Sequence, residues 1–132
     1  KEVEPGTSIS YGRIFTTKRT SRIATIPIGY ADGFTRLLTG KAKVLINGEF
    51  APVVGKICMD QCMVDVTDLD SEVRMGDEVV VLGRQGENEI TAEDLASAIG
   101  TINYEVVCLI GKRVPRFYIE DGKISDVLNY LI

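Results

Sequence analysis

A mainly β domain with one or two short helices is the fold class this sequence predicts, and three observations lead there. The apolar runs are short and mostly β-branched, which suits a pleated surface. Turn residues punctuate them at close intervals, most clearly at Asn47-Gly48, where both residues tolerate positive φ. A single segment carries a full set of helix start and stop signals. Many short strands between turns point to a closed or partly open Greek-key-like β-barrel, or to a sandwich.

The elements follow in chain order. Ser21 to Ile28 (SRIATIPI) alternates in part and breaks at Pro27 and Gly29. Lys43 to Ile46 enters the Asn47-Gly48 hairpin, and Phe50 to Val54 is its return strand. Ile57 to Val66 (ICMDQCMVDV) reads as strand, interrupted by polar Asp60 and Gln61. Glu78 to Leu82 is a buried strand, closed by Gly83-Arg84-Gln85-Gly86. That glycine-rich segment is no phosphate loop, because no helix opens directly from it. Thr91 is a good N-cap, and Glu93 and Asp94 favour the helix dipole. Leu95, Ala96 and Ile99 give that helix its apolar face, and Gly100 ends it. Tyr104 to Ile110 and Val114 to Ile119 add strand-like runs, although Thr101 to Glu105 also reads as a helical turn. Residues 124 to 131 suit a second short helix. There is no internal repeat, low-complexity tract or linker.

Composition narrows the class. The 132 residues suffice for one domain, 1–132, with a real core. Hydrophobic residues are 45% and charged residues 26%, ordinary for a soluble globular chain. The net charge of -4 comes without a basic stripe, so no nucleic-acid partner is expected. No apolar run reaches membrane-spanning length, and no membrane association is expected. The start, Lys1-Glu2-Val3-Glu4-Pro5, has no signal-peptide pattern and no initiator methionine, so the chain is expected to be a segment of something longer. Cys58, Cys62 and Cys108 are an odd set in a sequence without histidine. They fit reduced thiols in a cytoplasmic protein better than disulfides or a zinc site. Composition and periodicity name no reaction.

Motifs do. Ser10-Tyr11-Gly12-Arg13 comes first, then Pro27-Ile28-Gly29-Tyr30-Ala31-Asp32-Gly33, then Gly55-Lys56-Ile57-Cys58-Met59-Asp60-Gln61. Gly83-Arg84-Gln85-Gly86, Thr101-Ile102-Asn103-Tyr104-Glu105 and Arg113-Val114-Pro115-Arg116 complete the series. In this order and spacing they resemble the bacterial alanine racemase family, over nearly the whole chain. Members are homodimers that interconvert L- and D-alanine for cell-wall peptidoglycan precursors. Each subunit has an amino-terminal barrel holding pyridoxal 5'-phosphate on a lysine, followed by a carboxy-terminal β-domain. The active site lies between one subunit's barrel and the other's β-domain. This chain resembles the β-domain alone, so the barrel and the second subunit are its expected partners and an amino acid its expected small-molecule substrate.

The resemblance also implies roles. Tyr11 is the counterpart of the catalytic tyrosine; by spacing alone it reads as a strand aromatic. Racemisation takes a proton from one face of the α-carbon and returns one to the other, so two acid–base groups must flank it. A free tyrosine, with a pKa near ~10, needs cations or donors around it to serve as a base. Met59 and Tyr30 match the substrate end: the methionine's main-chain N–H receives the substrate carboxylate, and the tyrosine limits side-chain size. By itself Met59 reads as core filling. Asp60 lies close by, and a carboxylate inside a strand run needs partners or solvent. Tyr104 matches the tyrosine that donates to the cofactor phosphate within its own subunit. Arg36 and Ile102 match positions in the access channel. Lys56 stands where many relatives carry arginine, keeping the charge without the bidentate fork.

Two readings of different class follow. One is the β-domain of a pyridoxal-phosphate-dependent racemase, for alanine or in a serine/alanine variant, inactive as an isolated chain. The other is a non-catalytic dimerisation or binding module.

Overall fold

Residues 1–131 are described by the structure, a computed structural model. The strands are β1 (Glu2–Val3), β2 (Ser8–Ile9), β3 (Phe15–Thr16), β4 (Ser21–Ile26), β5 (Lys43–Ile46), β6 (Glu49–Val54), β7 (Cys62–Asp65), β8 (Val79–Val80), β9 (Gly83–Gln85), β10 (Asn88–Ile90), β11 (Arg116–Glu120) and β12 (Lys123–Leu128). Two helices, α1 (Ala92–Ile99) and α2 (Asn103–Cys108), lie between β10 and β11. Short 3₁₀ turns occupy Tyr11–Arg13 and Arg36–Leu38. The fold is thus mainly β with two helices.

Six strands form one antiparallel sheet in the order β1-β4-β7-β6-β5-β8, with β1 and β8 at its edges. The Asn47-Gly48 hairpin forms as expected, with φ of 52° and 80° at its two turn residues. Register then determines where the loops gather. Ile26 at the end of β4 pairs with Cys62 at the start of β7, and Val54 at the end of β6 pairs with Met63. The loops after β4 and between β6 and β7 therefore leave the same end of the sheet.

Successive residues Val44, Leu45 and Ile46 of β5 are all buried. Alternate side chains of a strand point to opposite faces, so both faces of β5 are covered. One extended cluster joins them to Ala51, Val53, Cys62 and Val64 of the sheet, Ile90 of β10, Leu95 and Ala96 of α1 and Val106 of α2. A smaller cluster of Ile9, Ile23 and Val54 packs with Val3, Phe15 and Met63. Helix α1 follows its signals: Thr91 and Asp94 form a reciprocal capping box, and Gly100 closes the helix in the left-handed conformation.

Several expected elements differ. The expected helix at 124 to 131 is strand β12 over Lys123–Leu128, paired with β11. Asp121 and Gly122 turn the chain with φ of 49° and 73°, the same hairpin chemistry as Asn47-Gly48. The strand-like run at Tyr104 to Ile110 is largely helix α2, in line with the helical turn read at Thr101 to Glu105. Ile102, Val106, Leu109 and Ile110 recur at helical spacing, and Val106 is the buried one. The strand expected across Glu78 to Leu82 pairs at Val79–Val80 and is half-buried. The Gly83–Gln85 part of the expected closing turn is itself strand β9, in a hairpin with β10. The strand expected over Ile57 to Val66 shortens to Cys62–Asp65, because residues 57–61 form a loop at the end of the sheet.

Candidate functional site

Tyr11 stands on a strained turn between β2 and β3. Ser10, Gly12 and Arg13 take φ of 66°, 72° and 51°, and Ser10 couples its value to an extended ψ of 179°. Only glycine adopts that combination freely. Two contacts hold it. The Ser10 hydroxyl donates to the Lys56 carbonyl at 2.6 Å. Gly55 lets the turn approach: a Cβ there would sit 2.6 Å from Ser10 Cβ and 2.7 Å from the Ile9 carbonyl oxygen. The result is a phenol 72% exposed, directed away from the core on a fixed base. The Lys56 ammonium lies over the same turn, 2.9 Å from where a Cβ on Gly12 would be.

The loop after β4 carries Tyr30 and Arg36, and the loop between β6 and β7 carries Met59 and Asp60. Two backbone bonds join these loops, Tyr30 N–H to the Cys58 carbonyl and Ala31 N–H to the Met59 carbonyl, each 3.0 Å. Gly29 permits the approach, since a Cβ there would overlap the Cys58 and Met59 carbonyl oxygens. The Met59 N–H itself donates to no acceptor among the described residues. The Arg36 guanidinium lies over the Tyr30 ring, 6.0 Å from its centroid, the outer limit of a cation–π contact.

Together these parts line one open cleft of about 600 Å³, bounded by Tyr11, Tyr30, Arg36, Met59 and Asp60 with Lys56, Cys58 and Gln61. Five of the seven expected site residues are therefore gathered in one place. Tyr104 and Ile102 are not among its lining. They lie at the start of α2, 74% and 62% exposed.

Asp60 finds both partner and solvent. Its carboxylate accepts from Arg113 Nη2 at 2.6 Å while 60% of the side chain stays exposed. Arg113 Nε bonds Asp32 Oδ1 at 2.9 Å, and Asp32 Oδ2 accepts from the Gly29 N–H at 2.8 Å. Both carboxylates hold the Arg113 guanidinium firmly charged, Asp60 most of all. Asp32 and Arg113 were given no role from sequence. Each stands in a motif that signals importance, but nothing in the spacing says that the two meet.

The thiols divide by setting. Burial pushes the Cys62 thiol up to about 12, with neighbouring Cys58 adding to the effect. A thiol so protonated is a packing group rather than a nucleophile. Among the described residues no cluster of metal-ligating side chains occurs, and no helix is long and apolar enough to cross a membrane.

Comparison with known proteins bears on this cleft. The family model described as alanine racemase, C-terminal domain, matches residues 1–118. Alanine racemase 1 of Clostridium acetobutylicum is 59% identical over 99% of this chain, which spans 34% of that protein. Among solved structures, alanine racemase of Clostridium difficile 630 in complex with cycloserine is 52% identical, with a TM-score of 0.91 over 100% of this chain and 34% of that one. Alanine racemase of Bacillus anthracis with bound L-Ala-P is 46% identical, with a TM-score of 0.92 over 99% of this chain and 33% of that one. The chain thus spans about a third of the length of the relatives it matches.

Proposed function

The chain belongs to the alanine racemase C-terminal domain family, and from that premise we propose that it forms the tyrosine-bearing wall of an active site that interconverts L- and D-alanine. The observation that carries this reading is the cleft in which Tyr11, Tyr30, Arg36, Met59 and Asp60 converge.

Each residue has work that suits its setting. Tyr11 presents an exposed hydroxyl from a rigid turn, suited to holding or giving a proton at one face of a substrate. The Lys56 ammonium and Arg36 guanidinium in the same cleft favour the binding of an anionic group such as a substrate carboxylate. The unengaged Met59 N–H is a fixed donor for a substrate carboxylate. Tyr30 lines the same cleft, where its counterpart in the family limits the size of the side chain. Two relatives of known structure are described with L-Ala-P and with cycloserine, ligands of a size this cleft can admit.

Pyridoxal phosphate, when bound, supplies the electron sink that makes an α-proton removable. The donors on this chain fit its surroundings rather than its anchor. Tyr104 offers an exposed phenol that can donate to a phosphate oxygen without adding charge. The anchoring lysine and the opposite wall belong, in this reading, to the amino-terminal barrel and the second subunit of a homodimer. Tyr104 would serve the cofactor of its own subunit, while Tyr11 would serve the partner's, with Ile102 and Arg36 along the access channel. We further read the six-stranded sheet as a partly open barrel. β4 and the segment leading into β8 line one groove, and Arg22 Nη2 donates to the Val73 carbonyl at 3.4 Å. The bacterial cytoplasm is the expected location, consistent with three free cysteines.

The decisive test is Tyr11→Phe in the full-length racemase that carries this chain. Racemisation should fall about 10²–10⁴-fold, the range for loss of a positioned acid–base group. Exchange of the α-proton with solvent deuterium should persist for one enantiomer and fail for the other. Undiminished racemisation would sink the assignment.

A further inference from the structure

Arg113 reaches the edge of the cleft, at Asp60, from a distant part of the chain. The segment that follows α2 lies against the loop after β4, with Gly111 N–H donating to the Asp32 carbonyl at 3.1 Å. Gly33 lets the two backbones touch, since a Cβ there would meet the Leu109 carbonyl and the Ile110 backbone. From this strap Arg113 sends Nε to Asp32 and Nη2 to Asp60. Asp32 is buried and fixed by the Gly29 N–H, whereas Asp60 is exposed and borders the cleft. The guanidinium thus ties an exposed carboxylate to a buried one. It also joins the loop bearing Tyr30 to the loop bearing Met59 at the side-chain level, beyond their two backbone bonds.

We propose that Arg113 is a positioning residue for substrate binding: bridging Asp32 and Asp60, it holds the Met59–Asp60 turn in register and neutralises the Asp60 carboxylate beside the Met59 N–H. This rests on the proposed role of Met59 as the carboxylate donor. The chemistry requires arginine. One planar fork reaches two carboxylates from two different nitrogens, which a single ammonium on a flexible stem does not reproduce. Without the fork, Asp60 would carry an uncompensated negative charge where an anionic group is to bind. Attraction would give way to repulsion, and the turn would lose its lateral anchor. The consequence falls on binding more than on proton transfer, because Arg113 is not part of the cleft lining and Tyr11 stands on a separate turn.

The test uses the full-length racemase, with Arg113→Lys, Arg113→Ala, Asp60→Asn and the Arg113→Ala/Asp60→Asn pair. Arg113→Ala is expected to raise KM for alanine about tenfold, with kcat within about threefold, the pattern of lost binding rather than lost chemistry. Arg113→Lys should give a smaller rise at an unchanged thermal midpoint. In the Asp60→Asn background the Arg113→Ala effect should shrink by more than half, because the charge to be neutralised is gone. A KM unchanged in both Arg113 variants overturns the proposal, as does an effect of equal size with and without the Asp60 carboxylate. Should Arg113→Ala fail to fold, Arg113→Lys alone decides: a raised KM supports the proposal and an unchanged one ends it. Tyr11→Phe, assayed alongside, separates the two readings. A crippled Tyr11→Phe with normal Arg113 kinetics removes only the positioning role, whereas an active Tyr11→Phe removes the proposed catalytic assignment.

Discussion

Gly29 lacks the positive φ that explains most glycines of this chain, and its neighbours explain it instead. Any side chain there would collide with two carbonyl oxygens of the Met59 loop, and backbone cannot yield as the end of a flexible side chain can. Gly29→Ala should therefore push the two cleft-bearing loops apart and destabilise the domain by about 1–3 kcal/mol, the usual range for overpacking. A lowered midpoint in chemical denaturation would show it, and an unchanged midpoint would mean that the loops move freely. Ser10 illustrates the reverse case. Its conformation suits glycine, yet its hydroxyl has a use, because it fastens the Tyr11 turn to the Lys56 carbonyl. Residue-level chemistry of this kind was partly legible in sequence. The motifs flagged Ser10, Gly29 and Gly55, but the reason each is needed is a contact with a residue far along the chain.

Elements bounded by local signals were read most accurately. The Asn47-Gly48 turn and the Thr91 to Gly100 helix carry their start and stop within a few residues, and both formed as expected. The errors have two causes. Val106 and Val107 are β-branched and suggested a strand, but burial against α1 gave the segment its helical form as α2. At residues 124 to 131 the Asp121-Gly122 turn was the stronger local cue, and it dictated a hairpin. The capping box of α1 gives a prediction that depends on pH. The Thr91 N–H and then the Thr91 hydroxyl hold the Asp94 carboxyl below the usual range. A depressed carboxyl stabilises the fold above its unfolded value of ~3.9, and the contribution disappears as pH falls through the lower folded value. Asp94→Asn should therefore be less stable than the parent at neutral pH, with the gap closing below about pH 4. Urea midpoints at neutral and acidic pH would measure this; a gap of constant size would show that charge plays no part in the cap.

Across the whole molecule, the mainly β class was legible, and the motif order brought five of the seven expected residues to one cleft. The bridge through Arg113 was not, since pairing across 53 positions depends on how the strap after α2 packs. One wall of a cleft also sets a limit on activity. The isolated chain is expected to show no racemisation and no cofactor absorbance when mixed with pyridoxal phosphate, because the lysine and the second wall would come from elsewhere. Turnover by the chain alone would refute that; activity restored by adding an amino-terminal barrel would support it. The same long-range closure has a meaning in time. A ribosome delivers Tyr11, then Tyr30, then Met59 and Asp60, and the β4–β7 ladder can begin to form as soon as β7 emerges. Arg113 follows some fifty residues after Asp60. Until then the Asp60 carboxylate lacks its ion-pair partner, so on the proposed role of Arg113 the nascent domain is the version of this site least able to retain an anionic ligand. On that proposal, binding competence is acquired late in synthesis, after most of the core that supports it.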